Sequence, residues 1–302
     1  MKEWIEAMRL RTLPVSVAGV VAGTACAIFH HGFSVLPFLI CLCFAVLCQI
    51  ASNFANEYYD YKNGLDRKGR EGFRRGVTEG DIKPQSMKRA TYLTLLVAAC
   101  FGCSLIIWGG WWLIFVGLAI GIFALAYSAG PFPLSHNGLG EIAVIIFFGL
   151  VPVIFTEYVQ TEILYFDSTT WFVAVAVGLM AANVLIVNNY RDMEDDKAVG
   201  KRTSVVILGR KVMNMVYFFN GACSAILLAM ASSPLPFWVS AGWLSYFGFH
   251  SMLWSKMRVS TGAKLNDILK ITSLLLLCVS IYLLIIFAAL KPENPDSIFI
   301  FP

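Results

Sequence analysis

The sequence predicts an all-α membrane protein, nine transmembrane helices around a central cavity, and three observations carry that prediction. Apolar residues fill 58% of the 302 positions and charged residues only 14%, against roughly a quarter charged in soluble domains. The apolar residues gather into runs of spanning length. The Lys and Arg residues gather on one side of the topology those runs define.

Hydrocarbon offers no partner to a backbone N–H or C=O, so a crossing segment must satisfy these groups itself, as a helix of roughly 20 apolar residues. In chain order such runs cover 13–29, 35–55, 90–108, 111–128, 140–156, 171–188, 212–231, 235–254 and 268–290. The first follows a charged stretch and leads into many others, which marks a retained helix and not a cleaved signal. With the N-terminus inside, the outer connections are 30–34, 109–110, 157–170 and 232–234, plus the C-terminal tail. Of the 23 basic residues, all but Lys291 then fall in the N-terminal stretch (Lys2, Arg9, Arg11) or in loops 57–89, 189–211 and 255–270. The positive-inside rule therefore sets a cytosolic N-terminus and an outer C-terminus, in a cell (inner) membrane. The eight cysteines all lie in apolar runs, and Cys100 and Cys103 form a C-x-x-C with no second pair. They read as packing or lipid-facing residues, not as a metal or redox site.

Two of the inner loops echo each other. Asn56-Glu57-Tyr58-Tyr59-Asp60 and Asn188-Asn189-Tyr190-Arg191-Asp192 share Asn, Tyr and Asp at a constant offset of 132 residues, each at the inner end of an even-numbered helix. A basic, Gly-containing segment follows each, at 73–80 and at 200–203. The expectation is one domain over 1–302, made of pseudo-repeat halves of roughly 1–134 and 135–302 that face one cavity.

Gln49, Asn53, Asn56 and Asp60 recur at i, i+4, i+7 and i+11, a polar stripe on an otherwise apolar helix. Such groups need a partner or a wet cavity in lipid. Interhelical hydrogen bonding and function both remain open for Gln49 and Asn53, while Asp60 points to function. Asn188, Asp192 and Asp196 fall at i, i+4 and i+8, one helical face, with Glu194 and Asp195 alongside. So many carboxylates repel unless Arg191, Lys197, Lys201 and Arg202 offset them in a solvated face or a divalent cation does, and the counterpart at Asn56 and Asp60 favours the cation. Amide and carboxylate oxygens with no His or Cys suit Mg²⁺, which is usually completed by phosphate oxygens. Two sparse oxygen clusters across a cavity suggest a diphosphate held between metal sites, with Lys62, Arg74, Arg75 and Lys201 as its basic contacts. A soluble diphosphate would need no membrane cavity. One carrying a polyprenyl chain would, and its departure would leave an electrophilic allylic carbon for an electron-rich acceptor.

At these residues the chain resembles the UbiA-type intramembrane aromatic prenyltransferases, whose acidic motifs follow the second and sixth spans. Within that family it is similar to the branch that prenylates 1,4-dihydroxy-2-naphthoate in menaquinone synthesis. The resemblance rests on Arg11-Thr12-Leu13-Pro14, on 53–60, on Gly130-Pro131-Phe132-Pro133-Leu134, on 137–141, on 188–192 and on Gly200-Lys201-Arg202-Thr203. It implies that Asn56, Asp60, Asp192 and Asp196 hold Mg²⁺ and the polyprenyl diphosphate, with Arg75 and Lys201 in contact. It implies catalytic roles for Asp60, Asp192 and Asp196, and an aromatic acid as the second substrate. The family usually has Asp where Glu57 stands, and Gly64 occupies the place of a further acid, for which Asp66 is the nearest substitute. Glu57 and Asp66 are therefore candidate ligands only.

Arg11 either holds the acceptor's carboxylate or sets topology. His30 and His31 read as solvated residues of an outer loop, His136 as structural ahead of an acid/base role, and Glu141 as an N-terminal cap ahead of a catalytic one. The expected partners are lipid and these two substrates, not nucleic acid. A secondary transporter is the rival from another class, but it would put charge at mid-membrane. A CDP-alcohol phosphotransferase would need a D-G-x-x-A-R pattern that is absent. Another branch of the same family would keep the acids and change the acceptor.

Overall fold

The computed structural model describes residues 2–69, 72 and 74–290. A short α1 (Lys2–Ala7) lies ahead of α2 (Leu13–Phe29) and the long α3 (Val35–Lys62). A single turn, α4 (Gly76–Glu79), leads to α5 (Pro84–Ser104), then α6 (Ile106–Gly109) and α7 (Leu113–Ala126). A 3₁₀ turn at Leu134–His136 precedes α8 (Gly140–Val144), which passes through a π-turn (Ile145–Leu150) into α9 (Val151–Thr161). Four long helices complete the chain: α10 (Ser168–Ala198), α11 (Ser204–Ala231), α12 (Phe237–Val259) and α13 (Lys264–Leu290).

The described residues are all-helical apart from their connections, and six stretches are long and apolar enough to cross a membrane: α3, α5–α6, α8–α9, α10, α11 and α13. Two shorter apolar helices, α2 and α7, fall below that length. Helix α12 is long, but Ser, His, Lys and Arg interrupt its apolar character. Each of the nine apolar runs thus lies mainly in helix, while length and hydropathy alone support six crossings. The C-terminal tail and Lys291 lie outside the described residues.

Helix α10 is the axis. Its small residues Ala174, Ala176, Gly178, Ala181 and Ala182 are buried, so α2, α11, α13 and the π-turn approach closely. The tightest approach is at Gly149, where an added Cβ would stand 2.4 Å from the Gly178 Cα, the close backbone packing that small residues permit between membrane helices. Asp167 caps α10, accepting from the backbone N–H groups of Thr169 and Thr170 at 2.8 and 3.4 Å. Helix α11 breaks at Gly209 (φ 79°), just ahead of the apolar run expected from 212.

A second apolar cluster binds α1 to α3 through Ala7, Phe54 and Tyr58, with Val77, Ile82 and Met87 from the α4–α5 region. It fixes one end of the molecule, where α2 and α12–α13 connect and where α3 and α10 end. The cysteines are all free, and Cys100 and Cys103 are exposed on α5.

Candidate active site

The C-terminal ends of α3 and α10 face one open cavity of about 990 Å³, lined by Asn53, Asn56 and Asp60 from one helix and Asn188, Asp192 and Asp196 from the other. Each residue of the stripe on α3 makes at least one hydrogen bond, although Gln49 Oε1 has no partner. Gln49 and Asn53 donate to the backbone oxygens of Thr12 (2.9 Å) and Met8 (3.0 Å), tying α3 to the α1–α2 connection. Asn56 donates to Ser128 Oγ at 2.9 Å, while its own oxygen accepts from two guanidinium groups, Arg9 at 2.6 Å and Arg75 at 2.7 Å.

Asp60 is completely buried and surrounded by positive groups. Lys201 Nζ donates to its Oδ2 at 2.7 Å, His136 Nε2 stands 3.0 Å from its Oδ1, and Arg75 Nη2 lies 3.7 Å away. Local backbone geometry aims these side chains. Beyond α10, Gly200 takes φ 79°, the left-handed conformation in which glycine meets no Cβ penalty. The chain then doubles back, closing Lys201 N–H on Asp196 O (2.9 Å) and Arg202 N–H on His136 O (3.1 Å). This carries Lys201 across from α10 to the acid of α3.

Arg75 is aimed by a residue that the sequence made a candidate ligand. Glu57 is buried and turns away from the cavity, accepting from Val77 N–H at 3.0 Å and so fixing the α4 turn that begins after Arg75. Asp66, also buried, lies 3.3 Å from Arg75 Nε and lines a small groove against Asp195 and Asp196 instead of the main cavity. Both are positioning groups for Arg75 here.

On α10 the four acids part company. Arg191 is buried and forks onto Asp192 at 2.7 and 2.8 Å, and it also donates to Asn188 at 2.8 Å and to Asn266 at 2.7 Å. Such a planar bidentate pair fixes geometry as well as charge. Glu194 is exposed and pairs with Arg210 at 3.3 Å, and Asp195 pairs with Arg67. The reading of a solvated acidic face holds for Glu194, only in part for the half-buried Asp195, and fails for Asp192 and Asp196, which are buried at the cavity.

Five sequence expectations need correction. Lys62 is exposed at the end of α3 and does not line the cavity. Arg74 points outward to Asp81 (2.6 Å) and Glu6 (3.9 Å), because neighbouring residues on extended backbone face opposite ways. Arg11 is exposed, and the cavity wall is formed instead by Arg9, whose positive φ of 53° turns it inward. That conformation is strained for a non-glycine residue, as functional sites often are. His30 is buried, not solvated: it meets Glu157 at 2.6 Å. Glu141, expected as a cap, accepts from Asn189 (3.1 Å) and Ser204, joining α8 to α10 and α11. The sequence reading missed Arg9, Ser128 and the His136 contact, which no motif spacing marks.

The donor set suits a hard cation. Every cavity-lining candidate ligand is a carboxylate or amide oxygen, yet among the described residues no three His, Cys, Asp or Glu side chains form a metal cage. Arg75 Nη1 is buried without a hydrogen-bond partner, a donor waiting for an anion. Separated acids, with one unpartnered N–H group of Arg75 in the same cavity wall, fit a magnesium ion whose coordination is completed by phosphate oxygens and water.

Beside this polar cavity lies a second, apolar one of about 1140 Å³, walled by α3, α7 and α8–α9. Gln49, Ser52, Tyr127, Val144 and Phe148 line both. The two cavities meet there.

The chain is similar to several characterised proteins. It is 39% identical over 214 residues to the 1,4-dihydroxy-2-naphthoate octaprenyltransferase of Escherichia coli, covering 68% of each chain. It is 36% identical over 234 residues to that of Mycobacterium leprae, covering 76% of this chain and 79% of the other. Among solved structures, a UbiA homologue from Archaeoglobus fulgidus bound to GPP and Mg²⁺ shares the fold with a TM-score of 0.65 at 16% identity. The match covers 93% of this chain and 99% of that one. An apo UbiA homologue from Aeropyrum pernix gives 0.67 at 14% identity, covering 89% and 94%. The model of the UbiA prenyltransferase family matches residues 16–274, and the chain belongs to that family.

Proposed function

We propose that this protein transfers a polyprenyl group from a polyprenyl diphosphate to 1,4-dihydroxy-2-naphthoate, with loss of the carboxylate, in menaquinone biosynthesis. One observation carries the reading: a polar cavity that gathers acids from two helices shares five lining side chains with an apolar cavity of similar size. A substrate with a diphosphate at one end and a hydrocarbon chain at the other matches that pair of environments. The naphthoate acceptor is supported by the relatives from Escherichia coli and Mycobacterium leprae.

Asn56, Asp60, Asn188, Asp192 and Asp196 are the residues that would hold Mg²⁺. Bound there, the ion supplies positive charge against the departing diphosphate. Lys201 and Arg75 add cationic donors to the same leaving group, already oriented by Asp196, Glu57 and Asp66. The allylic C–O bond breaks with its electron pair leaving on the diphosphate. A π pair of the naphthoate ring forms the new C–C bond at the carbon that bears the carboxylate. That carbon then loses CO₂, whose bonding pair restores the aromatic ring. The apolar wall keeps water from intercepting the electrophile.

This reading includes nine crossings in two pseudo-repeat halves. It sets the N-terminus and active site on the cytosolic side of the inner membrane and the C-terminus outside, from the basic-residue distribution. The test is to supply purified protein with Mg²⁺, a polyprenyl diphosphate and a panel of aromatic acids. The expected result is a prenylated, decarboxylated naphthol with release of diphosphate and CO₂. Turnover of 4-hydroxybenzoate in preference to the naphthoate would overturn the acceptor, and no turnover of any acid would overturn the reaction.

A further inference from the structure

We infer that the ring of Phe148 flanks the allylic carbon and stabilises the positive charge that develops on it. This rests on the polyprenyl-transfer reading and adds a catalytic residue to it. The carbon that reacts is the one joining the diphosphate oxygen to the hydrocarbon tail. With the diphosphate in the polar cavity and the tail in the apolar one, that carbon lies where the two meet. Among the described residues five side chains line both: Gln49, Ser52, Tyr127, Val144 and Phe148. Gln49 gives its N–H to Thr12 O, and its oxygen is closed off from the cavity surface. Ser52 is small and Val144 carries no π electrons. Tyr127 and Phe148 are the two aromatic rings, and the face of an aromatic ring attracts a cation through its quadrupole.

The backbone gives Phe148 special placement. It lies inside the π-turn Ile145–Leu150, where one extra residue per turn shifts every following side chain by about 100° around the helix. Phe148 and Phe147 both reach cavity walls as a result. The turn is held from two sides. An added Cβ on Gly19 would meet Phe148 O at 2.8 Å, and one on Gly149 would meet Gly178 Cα at 2.4 Å. Helices α2 and α10 therefore clamp the main chain at this residue, the pre-organisation that a charge-stabilising group requires.

The experiment separates ring electronics from space filling. Phe148→Leu is expected to lower kcat about tenfold, with the donor KM and the binding of an unreactive polyprenyl thiodiphosphate little changed. Phenylalanines carrying one, two and three ring fluorines, incorporated at position 148, keep shape while draining the π face, and log kcat should fall stepwise along the series. A flat series, or a Phe148→Leu loss confined to KM, would overturn the proposal. Wild-type enzyme run alongside distinguishes the two levels. Absence of wild-type product sinks the transfer reading and this one together, whereas wild-type product with a flat series sinks only the role of Phe148.

Discussion

Two buried charged clusters stand at opposite ends of the same helices, and only one of them lines a cavity. At one end Asp60 sits among Lys201, His136 and Arg75 at the wall of a large cavity. At the other, where α2 and α9 finish and α10 begins, His30 meets Glu157 at 2.6 Å and lies 3.8 Å from Asp167. Thr170 donates to Glu157 at 3.1 Å, and Tyr165 stacks on the imidazole with centroids 4.0 Å apart. Neither cavity reaches His30, Glu157 or Asp167. Each cluster keeps a buried polar atom without a hydrogen-bond partner, Asp167 Oδ1 in the far one and Arg75 Nη1 in the near one, but the near one alone lines a cavity. Buried charge by itself does not mark function; the cavity beside it is what separates the two.

If that contrast is right, substitutions at the two ends separate activity from stability. The largest effect belongs to the cavity: Asp60→Asn or Asp192→Asn should lower turnover per folded molecule about a hundredfold or more, with some fall in the thermal midpoint in detergent because Lys201 or Arg191 loses its carboxylate partner. Next, Glu157→Ala should cost about 3 kcal/mol of stability, since it strands a buried histidine, and leave turnover per folded molecule unchanged. Activity loss in that variant at full occupancy of the folded state would erase the distinction.

A smaller effect is a pH dependence of the far cluster. Burial opposes a charge on His30, but the hydrogen bond and charge of Glu157, followed by Asp167, outweigh it and raise its pKa above the usual value. The stability from that pair is therefore complete below the unfolded-state pKa of about 6.5 and is lost as pH rises through the higher folded-state value. Thermal midpoints measured across that window should decline for wild type and stay level for the double variant His30→Gln/Glu157→Gln, which removes both titrating partners. The smallest effects belong to residues that the sequence nominated and the fold turned outward. Lys62→Ala and Arg74→Ala should each change turnover by no more than about twofold, in line with ordinary surface substitutions.

The sequence made the helices and the principal acids legible because both are local signals. A run of apolar residues states its own burial, and spacing of four states a shared helical face, so Asn56, Asp60, Asp192 and Asp196 could be read directly. It could not apportion the basic residues. Arg74 and Arg75 differ by one position and face opposite ways, and the turn that decides between them is set by Glu57, about 20 residues upstream. Arg9 replaced Arg11 through one positive φ. His30 finds Glu157 across 127 residues of chain, a pairing that no local pattern announces. The span count falls between these cases. Helix α12 is long enough to cross but mixed in polarity, so its character depends on what packs around it.

The central claim is that the acids of α3 and α10 hold one and the same diphosphate. It is tested most directly by equilibrium binding of an unreactive polyprenyl thiodiphosphate in Mg²⁺ to wild type, Asp60→Asn, Asp192→Asn and the double variant. Each single change should weaken binding at least about tenfold, and the double variant should be scarcely weaker than the worse single, since both ends grip a single ligand. Wild-type affinity in either single variant would contradict it.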